Sequence, residues 1–206
     1  MLRRALPGAA IAAVAALAAW LLFAGLPRWY GAKRVVDDSP ARPVTAAPTA
    51  ERKITATLYF ISEDGMSLVG VQREVPFGDP IVEQARRIVE AQLGAAPEPL
   101  ATAIPDGTAL RSIYVTQREC DAAGAGCKQD AFVDLSLEAR TKHTGGALDE
   151  LFTIYAIVDA VTVNLPAISR VQILVDGKEV DTLAGHVDLR HPLEKNLKWV
   201  KTEKDG

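Results

Sequence analysis

Residues that build metal centres and nucleophilic active sites are scarce in this sequence. Its 206 residues include two cysteines and three histidines. A structural zinc site takes four ligands, and no second cysteine pair accompanies Cys120 and Cys127. The Gly-x-Ser-x-Gly segment that presents a hydrolase serine is also absent. We find no convincing catalytic set, and we therefore predict a protein that is not an enzyme and that holds neither a metal nor a cofactor.

Basic residues are scarce beyond the first quarter of the chain. Residues 1–53 contain eight Lys and Arg against three Asp and Glu, a surplus of five positive charges. Because the whole chain carries a net charge of −3, residues 54–206 carry −8. Binding to phosphate groups needs clustered lysines and arginines, and residues 54–206 contain no basic run. The composition predicts that the protein does not bind nucleic acid, and it argues against binding of this part to anionic lipid.

The longest apolar run lies near the N-terminus, at residues 9–26. It holds no charged residue over about eighteen positions. A helix of this length spans roughly 27 Å, close to the thickness of a bilayer core. Arg3 and Arg4 precede the run and place residues 1–8 in the cytoplasm by the positive-inside rule. We predict a single-pass signal anchor in the cytoplasmic membrane, with the C-terminal part on the periplasmic side; a cleaved signal peptide is the alternative.

Residues 27–53 have the composition of a linker. Pro40, Pro43 and Pro48 lie among Ala, Thr and Ser, a composition that cannot build a core and favours extended polyproline conformations. A stretch of about seventeen such residues, at roughly 3.1 Å each, reaches about 50 Å. We interpret the segment as a spacer between membrane and domain; a linker without a preferred length is the alternative.

Residues 54–192 show the patterns of an α+β domain. The order of periodicities predicts β-β-α-β-β-α-β-β, with a mainly antiparallel sheet packed on two helices. Asp79-Pro80 predicts the N-cap and first residue of a helix over residues 81–93, and Asp176-Gly177 predicts a tight hairpin turn. The charged tail occupies residues 193–206, and we expect it to fray from Lys195 to Gly206.

The most apolar stretch of the domain is Leu148–Leu165. Apolar residues cover nearly every side of the predicted helix, so we expect it to be deeply buried and every strand to pack against it. Gly145-Gly146 permits a sharp entry, and Pro166 ends the helix because proline cannot continue it.

A series of short segments, taken in order, resembles the GerMN domain family, named after the sporulation and spore-germination protein GerM. The segments are Thr57–Phe60, Arg73–Val75, Ile104–Thr108, Val133–Ser136, Ile154–Val158 and Val171–Gly177. The resemblance covers residues 54–192. It implies a non-enzymatic module, anchored to membrane or lipid outside the cytoplasm and linked to envelope assembly and cell-wall association. One position departs from the family, which commonly has Asn-Thr where this chain has Asp159-Ala160.

Cys120 and Cys127 lie in a segment between two predicted strands. A disulfide is compatible with a location outside the cytoplasm. Closing a loop of about eight residues would stabilise the fold by roughly 2.5 kcal/mol in the chain-entropy model. We predict a Cys120–Cys127 disulfide; free thiols and a metal site are the alternatives.

Three polar side chains are candidates for ligand binding. Asp134 and Ser136 lie at the end of a predicted strand, where they could line a groove for a polar ligand such as a glycan; Ser136 could instead cap the following turn. Asp159 lies in the buried helix, where a carboxylate must be paired or protonated. A structural hydrogen bond and a pH-sensitive binding site are its two interpretations.

His186, Asp188 and His191 form the one ligand-like cluster of the sequence. They could offer three ligands to a divalent metal, although the loop-like local sequence favours ordinary surface residues.

The function that we predict is a membrane-tethered extracytoplasmic module that binds or scaffolds peptidoglycan or an envelope protein, in envelope assembly, sporulation or germination. Two alternatives remain. One is a metal-dependent envelope hydrolase that uses the His186–His191 region with Asp134 or Asp159. The other is an oligomerising structural protein in which strand edges pair between copies.

Overall fold

The computed structural model describes Trp20 and residues 52–117 and 128–201 of the chain. Within these ranges, two β-sheets and three α-helices belong to the unit that spans residues 48–206, which confirms the α+β class. In chain order the elements are β1 (Lys53–Ile61), β2 (Leu68–Pro76), α1 (Ile81–Gln92), β3 (Leu110–Gln117), β4 (Gln129–Leu135), α2 (Glu138–Thr141), α3 (Ala147–Asn164), β5 (Ile168–Val175), β6 (Lys178–Glu179), β7 (Leu193–Glu194) and a 3₁₀ turn (Leu197–Trp199).

The first sheet is the antiparallel hairpin of β1 and β2. Its register runs from Lys53 opposite Pro76 to Ile61 opposite Leu68. Ala56, Leu58 and Phe60 alternate along β1 and are fully buried, as the period of two requires of a strand with one face on the core. The predicted hairpin is therefore confirmed.

Helix α1 begins one residue later than its sequence suggests. The Pro80 carbonyl accepts the N–H groups of Glu83 and Gln84 at 2.8 and 3.2 Å, so Pro80 is itself the N-cap residue. No side chain caps this helix end. The prediction of Asp79 as N-cap is therefore wrong.

The second sheet has the order β3-β4-β5-β6, with β7 also pairing with β5. Three of its four strand pairs are antiparallel, as is the first hairpin, so the sheets are mainly antiparallel as predicted; the exception is the parallel pair of β4 and β5. Parallel strands cannot be joined by a hairpin, and α3 lies in the crossover between these two. The Asp176-Gly177 turn joins β5 to β6 as predicted, with positive φ angles of 52° and 74°.

Helix α3 is the buried centre of the domain. Eleven of its eighteen residues are buried, including Phe152, Ile154 and Val158, which confirms the predicted deep burial. It packs chiefly on β1, β5 and α1, whereas β2 and β3 pack on α1. The expectation that every strand packs against α3 is therefore wrong, because α1 serves as a second packing layer.

The outer edge of β1 is closed by side-chain amides. Gln92 Oε1 accepts the Tyr59 N–H at 2.8 Å while its Nε2 donates to the Tyr59 carbonyl at 2.7 Å. Asn164 makes the same two hydrogen bonds with Thr57: its Oδ1 accepts the Thr57 N–H and its Nδ2 donates to the Thr57 carbonyl, both at 2.8 Å. We call these two side chains the amide clamps. Two residues further along, Ile61 exchanges backbone hydrogen bonds with Ala101, so the edge is satisfied along this length.

Part of the predicted charged tail belongs to the folded domain. Leu193 pairs with Val171 in β7, and the 3₁₀ turn follows directly. The Lys201 N–H then donates to the Leu68 carbonyl at 2.8 Å. Fraying from Lys195 onward is therefore wrong as far as Lys201, because Asp159 in α3 and Leu68 in β2 supply hydrogen-bond partners that local sequence does not reveal.

The predicted anchor at residues 9–26 lies outside the described ranges apart from Trp20, and so does the linker up to residue 51. None of the helices that the structure describes is long and apolar enough to cross a membrane.

Candidate functional site

A cleft of about 480 Å³ lies beside the start of α3. We call it the α3 cleft. Its lining residues are Ile61, Thr102–Asp106, Lys142–Thr144, Asp149 and Thr153. The loop before β3 forms one wall, and the loop before α3 forms the other.

The two walls are joined by a hydrogen-bonded network. The Gly145 N–H donates to His143 Nδ1 at 3.0 Å, so the neutral imidazole carries its proton on Nε2. Nε2 lies 3.2 Å from Thr153 Oγ1, which in turn lies 2.6 Å from the Ala103 carbonyl oxygen. His143, Thr153 and Ala103 therefore fix the shape of the cleft from loop to helix to loop.

The rim of the cleft carries exposed polar groups. Asp106 and Asp149 offer carboxylates, Lys142 an ammonium, and Thr102 and Thr144 hydroxyls. Ile61 and Ile104 contribute apolar surface behind them. Closely placed donors and acceptors over an apolar base suit a ligand rich in hydroxyl or amide groups.

No pattern in the sequence predicts this cleft directly. Ile104–Thr108 is recognisable as a turn, and Gly145-Gly146 as a helix entry. The two loops are about forty residues apart in the chain, and the packing of α3 brings them together.

Asp134 and Ser136 have structural partners at the carboxyl end of β4. Asp134 is almost fully buried; its Oδ1 accepts the Gly177 N–H at 2.7 Å, and its Oδ2 lies 3.3 Å from Arg111 Nε. Arg111 also pairs with Asp176. The Ser136 hydroxyl accepts the Ala109 N–H at 3.0 Å, and its hydrogen bond to the Glu138 carboxylate lowers the pKa of that carboxyl. Asp134 thus fixes the β5–β6 turn, and Ser136 the start of β3.

Asp159 lies at the opposite end of the sheet from this pair. Its Oδ1 accepts the Asn196 N–H at 2.8 Å, beside β7. Its Oδ2 is buried and has no hydrogen-bond partner among residues 52–117 and 128–201. Burial raises the pKa of Asp159 to about 6, against the opposing effects of the Asn196 N–H and Lys195. The structure therefore does not bring Asp134, Ser136 and Asp159 together, and ligand binding by them stays a prediction.

The Asp159 carboxylate also acts on its neighbour Tyr59. Burial, and after it the negative charge of Asp159, raises the pKa of Tyr59 to about 12. The groups that face Asp159 are thus Tyr59 from β1, and Lys195 with the Asn196 N–H from the segment after β7.

Asp159 is expected to make the fold less stable as pH rises. Its pKa in the folded state lies above the ordinary value of 3.8, so the folded state binds more protons between these values. The penalty is absent below pH ~4, develops up to pH ~6 and stays constant above, with a size of about 2–3 kcal/mol. Asp159→Asn keeps the Oδ1 acceptor but does not ionise. We expect the free energy of unfolding of the native chain, relative to Asp159→Asn, to increase by this amount between pH 7.5 and pH 4.

Urea titrations of both proteins at a series of pH values measure that difference, in which other titrating groups cancel. If the free energies of unfolding of the two proteins change with pH in parallel, Asp159 has the same pKa in the folded and unfolded chain and the prediction is wrong.

Glu150, which sequence reasoning overlooked, organises the loop after β6. It is fully buried in the first turn of α3. Its Oε1 accepts the Leu183 and Ala184 N–H groups at 2.7 and 2.8 Å, and its Oε2 accepts the His186 N–H at 2.7 Å and faces His186 Nδ1 at 3.1 Å. Burial alone would raise the pKa of Glu150, but the Ala184, His186 and Leu183 hydrogen bonds outweigh it and lower the pKa.

The predicted histidine cluster is divided among separate contacts. His186 faces Glu150, whereas Asp188 is held by Arg190 through two hydrogen bonds of 2.9 and 2.7 Å, and His191 is exposed. Within the ranges that the structure describes, no group of three or more His, Cys, Asp or Glu side chains is placed to hold a metal ion. Cys120 and Cys127 lie outside those ranges, so their disulfide stays a prediction.

Comparison with known proteins places the chain among relatives of GerM. The model of the Germane family, described as sporulation and spore germination, matches residues 57–181. A candidate lipoprotein from Clostridium perfringens has 25% identity and a TM-score of 0.47, over 69% of this chain and 88% of its own. The tandem GerMN domains of the sporulation protein GerM from Bacillus subtilis have 18% identity and a TM-score of 0.49, over 71% of this chain and 46% of theirs. The first of those domains alone has 17% identity and a TM-score of 0.44, over 69% and 96%.

No curated protein matches the chain. The family match nevertheless spans more than half of the sequence and includes both walls of the α3 cleft. It confirms the resemblance to the GerMN domain. The chain therefore belongs to the Germane family of sporulation and spore-germination domains.

Proposed function

We propose that the chain is a non-catalytic, membrane-tethered binding module of the cell envelope, whose α3 cleft holds a polar cell-wall ligand such as peptidoglycan. The observation that carries the proposal is the cleft itself: about 480 Å³, with walls tied together by His143 and Thr153 and a rim of exposed polar side chains. A cavity of fixed shape lowers the entropy lost when a ligand binds.

The use of the acid–base groups supports binding rather than catalysis. Asp134 and Glu150 accept backbone N–H groups, and both ring nitrogens of His143 and Nδ1 of His186 face backbone or side-chain partners. Groups engaged in this way position the backbone, whereas a general base must reach a substrate proton.

The proposed location follows from the N-terminal sequence. The apolar run at residues 9–26 has the length of a membrane span, and residues 27–53 have the composition of a spacer. A domain held in this way outside the cytoplasm would meet the wall polymer at high local concentration.

Co-sedimentation of the full-length chain, in detergent, with purified peptidoglycan tests the proposal. Asp106→Ala/Lys142→Ala removes one acidic and one basic side chain from the rim, and we expect it to weaken binding by roughly thirtyfold, from about 1 kcal/mol for each of the two lost contacts. Asp188→Ala/Arg190→Ala removes the same two signs of charge from a surface outside the cleft and should bind as the native chain does.

Two results would overturn the proposal: failure of the native chain to sediment with peptidoglycan, or an equal loss of binding in both double variants.

A further inference from the structure

Exposed apolar side chains gather at one place on the described domain. Met66, in the β1–β2 turn, is 67% exposed, and Leu197 and Trp199, in the 3₁₀ turn, are 43% and 39% exposed. Met66 and Trp199 line one shallow cavity of about 250 Å³. Within residues 52–117 and 128–201 the remaining large exposed apolar side chains are Tyr114 and Leu137, on other elements. Clustering of this kind marks an interaction surface.

Lysines surround these apolar side chains. Lys198 and Lys201 line the cavity of Met66 and Trp199. Lys128 and Lys195 line a neighbouring cavity of about 420 Å³ to which Leu197 also contributes. Asp64, 3.7 Å from Lys201 Nζ, Glu194 and the buried Asp159, which faces Lys195, are the carboxylates that these contacts place beside the four lysines, so the lysines are in excess by one. We call the surface around the 3₁₀ turn the lysine–tryptophan surface.

The backbone of this surface is held in place before any partner arrives. Val200 bridges Leu68, and the Lys201 N–H donates to the Leu68 carbonyl. The Asn196 N–H is held by buried Asp159 at 2.8 Å. The turn that carries Leu197 and Trp199 is thus tied to β2 on one side and to α3 on the other.

We propose that the lysine–tryptophan surface docks the domain on an anionic lipid bilayer. Tryptophan is favoured at the membrane–water interface, and lysine combines an apolar stem with an ammonium that pairs with acidic headgroups. The net charge of −8 for residues 54–206 argued against such a partner, but that sum hides a local excess of lysine that only the fold assembles.

The proposed tether would also keep the domain close to the bilayer, and this part of the inference rests on that proposal. Residues 27–53 join the apolar run to β1, which begins at the end of the hairpin away from Met66. The hairpin is nine residues long, about 30 Å at 3.4 Å per residue. Twenty-seven residues reach at most ~90 Å, so the chain length permits docking. A tether raises the effective concentration of the surface at the bilayer, and a weak contact then suffices.

The full-length chain in lipid nanodiscs provides the test. Trp20→Phe/Trp29→Phe leaves Trp199 as the one tryptophan. With acidic phosphatidylglycerol in the bilayer, we expect brominated lipid to quench Trp199 and the emission to shift to the blue; with phosphatidylcholine alone, or at high salt, we expect both effects to diminish.

The matched variants are Lys198→Gln/Lys201→Gln and, as control, Lys53→Gln/Lys178→Gln. Both remove two positive charges, but only the first pair lies on the lysine–tryptophan surface. We expect the first to lower the docking equilibrium by about fivefold for each lysine and the control to leave it unchanged.

Three results would each overturn the docking proposal. One is equal quenching of Trp199 in acidic and neutral bilayers, and another is an equal effect of the two double variants on docking. The third is protection of Trp199 by peptidoglycan but by neither bilayer. Resistance of the chain to alkaline extraction from vesicles reports the tether separately. A chain that resists extraction but leaves Trp199 in water retains the tether and refutes the docking.

Discussion

Replacing Glu150 by alanine is expected to lower the free energy of unfolding by about 3–5 kcal/mol. The carboxylate is fully buried and accepts backbone N–H groups of Leu183, Ala184 and His186. Alanine leaves these donors without their acceptor, and breaking a buried charged network costs this much. Urea unfolding of the purified variant at pH 7.5 measures the loss.

Glu150→Gln separates charge from shape. An amide has one acceptor oxygen, and its NH₂ group would face N–H donors, so this isosteric variant should still lose about 2 kcal/mol. Glu179→Gln makes the same chemical change at an exposed position in β6 and should stay within about 0.5 kcal/mol of the native chain. Equal stability of Glu150→Gln and Glu179→Gln would refute the structural role of the carboxylate.

The Glu150 contribution has the opposite pH dependence to that of Asp159. Its folded pKa is lowered, so its stabilisation is fully present above the ordinary value of 4.5 and is lost as pH falls through the folded value. The difference in the free energy of unfolding between the native chain and Glu150→Gln should therefore become smaller at acidic pH.

Replacing Gln92 by methionine is expected to lower the free energy of unfolding by about 2–4 kcal/mol. Methionine keeps the length of the side chain but cannot pair with the Tyr59 N–H and carbonyl, which are buried. Each unsatisfied buried group costs about 1–3 kcal/mol. Urea unfolding again provides the measurement.

The other amide clamp is the matched comparison. Asn164→Leu removes the same two hydrogen bonds from Thr57, but Thr57 and Asn164 are half-buried, and water can replace the lost partners. Asn164→Leu should therefore lower the free energy of unfolding by less than Gln92→Met does, with a difference of about 1 kcal/mol or more. A larger loss for Asn164→Leu than for Gln92→Met would contradict burial as the cause.

Local sequence patterns were sufficient to predict those elements whose form depends mainly on their own residues. Leu148–Leu165 is apolar on nearly every side, which predicts a central helix wherever the rest of the chain lies. Asp176-Gly177 accepts the positive φ angles that a tight hairpin turn needs. The parallel pairing of β4 with β5 was harder to foresee, because the pattern fixes strands but leaves their direction within the sheet open.

Contacts between residues that are far apart in the chain could not be predicted from the sequence. Gln92 and Asn164 look like ordinary polar residues at helix ends, and their partners lie 33 and 107 positions away. Glu150 resembles a first-turn acid that favours the helix dipole. The α3 cleft and the lysine–tryptophan surface each join loops that meet only after α3 is packed.

The amide clamps also constrain when the domain can fold during its synthesis. β1 emerges early, yet the amides that complete its outer edge lie at Gln92 and Asn164, near the ends of two separate helices. Until residue 164 has left the ribosome, the Thr57 backbone groups depend on water, and α3 is incomplete. Such long-range closure slows folding, so the nascent chain should stay open to proteases or chaperones until nearly the whole domain has been made.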